Sequence, residues 1–275
     1  MPDPTFPTTI PPETVAALER AEREATAALF AAAAPEIKRT LGLAHRRIED
    51  GLWSISRRLD HIMFCRLFAL GIEKPVRAAA IDEAIDAFEA SGVKNWMIQI
   101  APNTSPLPRL LVERGFSRHP RTWAKFLFEG NPAPARTELE VREIGAAHAA
   151  AFGAIAAAAF GLPPEAAPWC ASIVRQPGFR TFMAFDGEEP VAGGTVYIEG
   201  NASWLGLGAT AASHRGRGAQ SAILAARIRA SLDAGATLIS TETGIPHQGE
   251  AGPSFKNIQR AGFRIVYERP NMRRA

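Results

Sequence analysis

The alternation of apolar and polar positions divides the chain into two stretches that carry the same series of elements. After Pro11-Pro12, apolar residues at Val15, Leu18, Ala21, Ala25 and Leu29 recur at helical spacing to about Ala34, where Pro35 interrupts them. Two strand-like segments follow: Gly51 to Leu59, alternating around Trp53 and Ile55, and the mostly apolar run Ile62 to Leu70. Pro75 opens a helix with Ile81, Ile85 and Phe88 on one face and Asp82, Glu83, Asp86 and Glu89 on the other, and Gly92 lies past its end. Trp96 to Ile100 reads as a short buried strand, Arg109 to Arg114 as a short helix and Thr122 to Phe128 as a strand.

Residues 131–137, which include the proline-rich Asn131-Pro132-Ala133-Pro134-Ala135, are the candidate linker between a domain at 1–130 and another at 138–275. Beyond it the pattern predicts a strand at Leu139 to Ile144, helices at Ala146 to Phe160 and Pro164 to Arg175, and strands at Phe179 to Phe185 and Val191 to Glu199, turned at Asp186-Gly187. A strand at Trp204 to Ala209, a helix at Arg215 to Leu232, a strand at Thr237 to Thr241, a short helix at Ser254 to Arg260 and a strand at Arg264 to Glu268 complete it. Ala90-Ser91-Gly92, a strand, a proline-containing loop and Leu111-Val112-Glu113-Arg114-Gly115-Phe116 match Asp233-Ala234-Gly235, a strand, a similar loop and Ile258-Gln259-Arg260-Ala261-Gly262-Phe263. Glycine after a helix is common by itself. The shared order of elements favours duplication.

Length and composition fit two domains: 275 residues exceed the roughly 100–200 of one, and 47% hydrophobic with 21% charged residues suits a globular chain. Lys and Arg number 18 against 16 Asp and Glu up to Arg136, and 13 against 12 after it, so neither half is a basic module and no nucleic-acid partner is expected. Met1-Pro2-Asp3-Pro4 lacks the charged and apolar regions of a signal peptide, and no run nears the ~20 apolar residues of a membrane span, so a cytoplasmic place without a membrane partner is expected. Cys65 and Cys170 have no metal-ligand spacing and read as buried thiols.

The chemistry concentrates in Leu207-Gly208-Ala209-Thr210-Ala211-Ala212-Ser213-His214-Arg215-Gly216-Arg217-Gly218-Ala219-Gln220. A strand ends and a glycine-bearing loop opens an Ala/Ile/Leu helix, which aims free backbone N–H groups and the helix dipole at one point. Gly216 and Gly218 allow close approach of an anion, and Arg215 and Arg217 add charge, so a pyrophosphate fits. A P-loop is excluded because no Lys-Ser/Thr follows, and a dinucleotide fingerprint because Ser221 stands where a third glycine would. A flexible turn with two solvated arginines is the plainer alternative.

This segment resembles motif A of the GNAT acetyltransferases, Arg/Gln-x-x-Gly-x-Gly/Ala, with Arg215 and Gly218 at matching positions and Gln220 a departure at the last. The resemblance continues through Leu238 to Thr241 and the helix ending Arg260-Ala261-Gly262-Phe263, and covers about Glu138 to Asn271. It implies an α/β fold of tandem units, each a twisted mixed, mostly antiparallel sheet flanked by helices, whose fourth and fifth strands splay to admit the pantetheine arm of acetyl-CoA. To that cofactor it assigns Leu207, Gly208 and Ala209, the loop Arg215, Gly216, Arg217, Gly218, Ala219 and Gln220, and Asn257. The first half offers only Gly71-Ile72-Glu73-Lys74-Pro75-Val76-Arg77, where Pro75 removes a donor and Glu73 adds negative charge. It is expected to be a degenerate copy, in a tandem arrangement resembling that of mycothiol synthase.

Attack on a thioester requires a free amine, so a base is sought. Glu242, after the apolar strand Thr237 to Thr241, is the candidate, against the alternative of a surface carboxylate at a strand end. GNAT enzymes often protonate the departing thiolate from a Tyr that here is Ile258; Ser254 matches a variant of the ribosomal-protein acetyltransferase branch, and would equally serve as a helix N-cap. His247 reads as a solvated loop residue, Trp169 and Trp204 as packing, and Cys170 as no nucleophile. The expectation is acetyl transfer by direct attack of a small-molecule or peptide amine. A non-catalytic CoA sensor and an aminoacyl-tRNA-dependent transferase are the alternatives, and no metal is expected.

Overall fold

The computed structural model describes residues 10–130, 136–247, 250 and 252–274, so Asn131 to Ala135 of the candidate linker lie outside the described residues. The first half runs α1 (Pro12–Ala32), α2 (Pro35–Leu41), β1 (Leu43–Ile48), β2 (Gly51–Ser56), β3 (Arg66–Phe68), α3 (Ala78–Ser91), β4 (Met97–Gln99), α4 (Leu107–Val112) and β5 (Phe116–Phe128). The second runs β6 (Glu140–Glu143), α5 (Ala149–Ala159), α6 (Ala167–Ala171), β7 (Phe179–Asp186), β8 (Glu189–Glu199), β9 (Ala202–Thr210), α7 (Ala219–Asp233), β10 (Leu238–Gly244), α8 (Pro253–Arg260) and β11 (Phe263–Arg274).

Among the described residues all eleven strands join one sheet, in the order β1-β2-β3-β4-β11-β5-β10-β9-β8-β7-β6. The pairs β3–β4 and β9–β10 are parallel, and the others are antiparallel. Leaving β6 aside, the order reads the same from both ends once β1 to β5 are matched with β7 to β11. The two halves are therefore related by an approximate two-fold axis between the antiparallel β5 and β11. They have exchanged last strands, β5 lying against β10 and β11 against β4.

Where elements differ from the sequence pattern, the cause is local. Strand β1 goes unforeseen because Ala44-His45-Arg46-Arg47 is polar and half exposed, as suits an edge strand. The expected alternation in β2 is absent because all six residues are buried. Only Arg66–Phe68 of the run Ile62 to Leu70 is strand, since Phe64 and Cys65 donate back to the His61 carbonyl in a turn. Helix α7 starts at Ala219, four residues after Arg215, because Gly218 takes a left-handed φ of +81° as its N-cap. Strand β11 continues past Pro270 with register shifts at Val266 and Asn271.

Apolar residues fill both faces. Ile81 and Phe88 of α3 and Leu111 of α4 pack with Trp53, Ile55, Leu67 and Ile98 of the sheet. Ile223 and Ile228 of α7 and Ile258 of α8 pack with Phe126, Val196, Leu205 and Phe263 of the sheet. Helix α1 crosses the halves: Ala21 and Ala25 pack with Phe152, Met183 and Trp204 of the second. Its face also carries Glu19 and Glu22, both fully buried. Among the described residues no helix is long and apolar enough to cross a membrane.

Candidate active site

Strands β9 and β10 pair from Ala202–Leu238 to Trp204–Ser240 and then part. Ser240 Oγ donates to the Ser203 carbonyl at 3.1 Å and Thr241 Oγ1 to the Leu205 carbonyl at 2.8 Å, tying the strands where they separate. Just beyond, Leu207 and Gly208 together face Gly194, a bulge in which Leu207 has φ +47°. Arg227 of α7 sits behind this bulge, its Nη1 donating to the carbonyls of Thr195 at 3.2 Å and Gly206 at 3.0 Å. It is 2% exposed with no carboxylate partner among the described residues, and burial pulls its guanidinium down to about 9.

A cavity of about 1130 Å³ opens between this parting and the start of α7. It is lined by Gly208, Ala209 and Thr210 of β9, by Arg215, Gly216, Gly218, Ala219 and Gln220, and by Ser254 and Asn257 of α8, with Arg136 at its edge. Nine of the twelve candidate residues line the cavity; Glu242 does not, and lies on β10 two residues past the last β9 pair. Leu207 and Arg217 do not line it. Arg217 turns away because Asp186 holds its Nη1 at 2.5 Å, and the same carboxylate meets His214 Nε2 at 3.3 Å. No side chain caps α7, which leaves the N–H groups of its first turn for a ligand. Thr210 Oγ1 is likewise buried without a partner among the described residues. The departure at Gln220 has a use: its Nε2 lies 2.8 Å from where a Cβ on Gly208 would stand, so glycine there makes room for it.

Glu242 is an interior residue of β10, not a carboxylate at a strand end, and lies directly opposite Lys125 of β5. Trp204, read from sequence as packing alone, donates Nε1–H to Glu242 Oε2 at 2.6 Å, and Lys125 Nζ is 3.6 Å away. Burial, reinforced by the nearby Glu22 carboxylate, pushes the Glu242 carboxyl up to about 7 from its ordinary 4.5, against the opposing pull of Lys125, Arg269 and Arg66. Behind it Glu22 accepts from Lys125 at 2.6 Å, Arg269 at 2.7 Å and Arg66 at 3.0 Å, while Glu19 accepts from Tyr267 Oη at 2.7 Å and Arg269 at 3.0 Å. The sequence signal for this cluster was Glu19 and Glu22 beside the apolar stripe of α1, and Lys125 amid Trp123-Ala124 and Phe126-Leu127.

Ser254 does not cap its helix. Gly252, at φ +51°, is the N-cap of α8, and Ser254 is an exposed residue of the first turn beside Asn257. Ile258 is buried. His247 is exposed, and Trp169 is buried with Nε1 donating to the Leu29 carbonyl at 3.0 Å. Burial raises the Cys170 thiol to about 12, so it holds no thiolate near neutrality.

The first half repeats the backbone of this site but fills it. Ala69, after β3, takes a positive φ of +56°, matching the +47° of Leu207 in β9. The N–H groups of Gly71 and Glu73 donate to the two carboxylate oxygens of Asp50, each at 2.8 Å, so an internal anion occupies that loop. Arg77 pairs with Glu49 at 2.5 Å, an echo of Arg217 with Asp186.

No family model and no curated protein matches the chain. Solved structures do. A GCN5-related N-acetyltransferase from Kribbella flavida superposes with a TM-score of 0.60 at 16% identity, over 93% of this chain and 94% of that one. Another from Sphaerobacter thermophilus gives 0.56 at 15% identity, over 98% and 96%. A tandem GNAT protein from the clavulanic acid biosynthesis pathway gives 0.55 at 13% identity, over 81% and 77%. The chain has the fold of the GNAT acetyltransferases in its tandem arrangement.

Proposed function

We propose that this chain is an acetyl-CoA-dependent N-acetyltransferase acting on a primary amine of a small molecule or peptide. The observation that carries the reading is the uncapped start of α7, behind Gly216 and Gly218, facing a cavity walled by the end of β9 and by α8. Arg215 and Arg136 add positive charge to it. That donor set suits a pyrophosphate with an extended polar arm. When bound, acetyl-CoA would supply an activated acyl group and a thiolate leaving group. The chain's own part is to hold the amine's surplus proton on Glu242, a carboxyl poised at about 7 and oriented by Trp204. Ser254, exposed at the cavity wall, is the candidate for returning a proton on the leaving side.

A non-catalytic CoA-binding role is the second reading, favoured by buried Ile258 at the position where the family often has Tyr. Release of free CoA from acetyl-CoA in the presence of a panel of primary amines separates the two. Gly218→Asp supplies the control. A Cβ at Gly218 would lie 2.6 Å from the Arg136 carbonyl, and a carboxylate there opposes phosphate. The folded variant should lose acetyl-CoA binding and turnover together, and unchanged affinity by calorimetry would overturn the donor-site assignment.

A further inference from the structure

We infer that the half without a donor loop serves the other by drawing Glu242 toward its proton-accepting form, with Lys125 of β5 as the positioning residue. The inference rests on Glu242 being the base. The strand exchange makes it possible: β5 belongs to the first half but lies against β10, which sets Lys125 and Glu242 directly opposite each other. Such cross-strand neighbours interact most strongly when, as here, they are out of water.

The groups that act on Glu242 come from five elements. Strand β9 gives the Trp204 indole N–H and β5 gives Lys125. Helix α1 gives Glu22, with Glu19 behind it; β11 gives Arg269, with Tyr267 on Glu19; β3 gives Arg66. Lys125, Glu22, Glu19 and Arg66 thus come from the first half. Three carboxylates meet three cations, so the cluster is neutral only while Glu242 is ionised. Its protonation leaves three cations facing two carboxylates, a cost that is outweighed by burial of the Glu242 charge and the repulsion from Glu22.

Within the cluster Glu19 and Glu22 have fully buried side chains, whereas that of Glu242 keeps 12% exposure. Glu242 is therefore the carboxylate of the three that solvent reaches. Lys125, also fully buried and bonded to Glu22 at 2.6 Å, has no room to swing into solvent. Its fixed charge favours the ionised, proton-accepting form of Glu242 and opposes both burial and the repulsion from Glu22.

The test follows the carboxyl itself, by ¹³C-glutamate NMR with the Glu242 signal identified by its loss in Glu242→Gln, alongside the pH dependence of kcat/KM. In Lys125→Met the Glu242 midpoint should rise by about one unit or more, and Lys125→Arg should restore most of it. The acid limb of kcat/KM should follow, so that Lys125→Met is about tenfold slower below the midpoint and close to wild type well above it. If Lys125→Met does not fold, Arg66→Gln, at the 9% exposed edge of the cluster, decides by a smaller shift in the same direction. An unmoved Glu242 midpoint in the folded variant overturns the inference. A midpoint that moves while the kcat/KM limb stays in place supports the control of Glu242 by the first half and removes Glu242 as the base, so the two failures are distinct.

Discussion

Replacing Glu242 by Gln should do two opposite things, and their pH dependence ties them to one cause. Activity should fall by roughly 10²–10⁴-fold in kcat near neutrality, the usual worth of a general base, with a smaller loss at high pH where free amine is abundant. Stability should rise. The carboxyl stands at about 7 in the fold against an ordinary 4.5, so the folded chain binds the proton more tightly than the unfolded one. Its contribution is fully present below the unfolded value and is lost as pH climbs from there through the folded value. A difference of about 2.5 units corresponds to ~3 kcal/mol of cost at alkaline pH, and Gln removes it. The Gln carbonyl can still accept from Trp204, but its amide NH₂ faces Lys125, so a net gain of about 2 kcal/mol is expected. For a chain of this size that is a rise in Tm of roughly 4–8 °C at about pH 8, falling through zero to a small loss near pH 4.5, where only the cost of the amide facing Lys125 is left. Thermal unfolding of both proteins across that range, with kcat on the same samples, is the assay. A variant that is less stable at pH 8, or more stable by an equal margin at every pH, would refute the reasoning.

Two further predictions concern the other candidate sites. Because Asp50 already occupies the Gly71 and Glu73 amides, one chain should bind one acetyl-CoA, and a calorimetric titration showing two equivalent sites would contradict that. Ser254→Ala should leave stability within about 0.5 kcal/mol, since the residue is exposed and caps nothing; a fall in kcat at unchanged Tm would place its hydroxyl in the proton return, and unchanged kcat would remove it from the reaction.

The sequence by itself determined the local parts whose cause is local. Gly216 and Gly218 before an Ala-rich helix allow a backbone that other residues resist, and both take positive φ, at +84° and +81°. The proline and glycine punctuation located most elements to within a few residues, and the repeated helix–strand–helix series around Gly92 and Gly235 marked the duplication that the sheet order displays. Arg217 shows the limit of such reading. Its place in the loop implied a role toward the ligand, yet Asp186, 31 residues away, holds the side chain elsewhere. The surroundings of Glu242 were decided only by tertiary structure, because strand exchange is a choice of long-range pairing that local periodicity does not encode. Lys125 and Glu22, 103 residues apart, meet at 2.6 Å only once β5 has crossed to β10 and α1 has lain over both halves. Sequence reading singled out neither; which charges would share one buried site, and so what proton affinity Glu242 would have, was fixed when the fold removed water from between them.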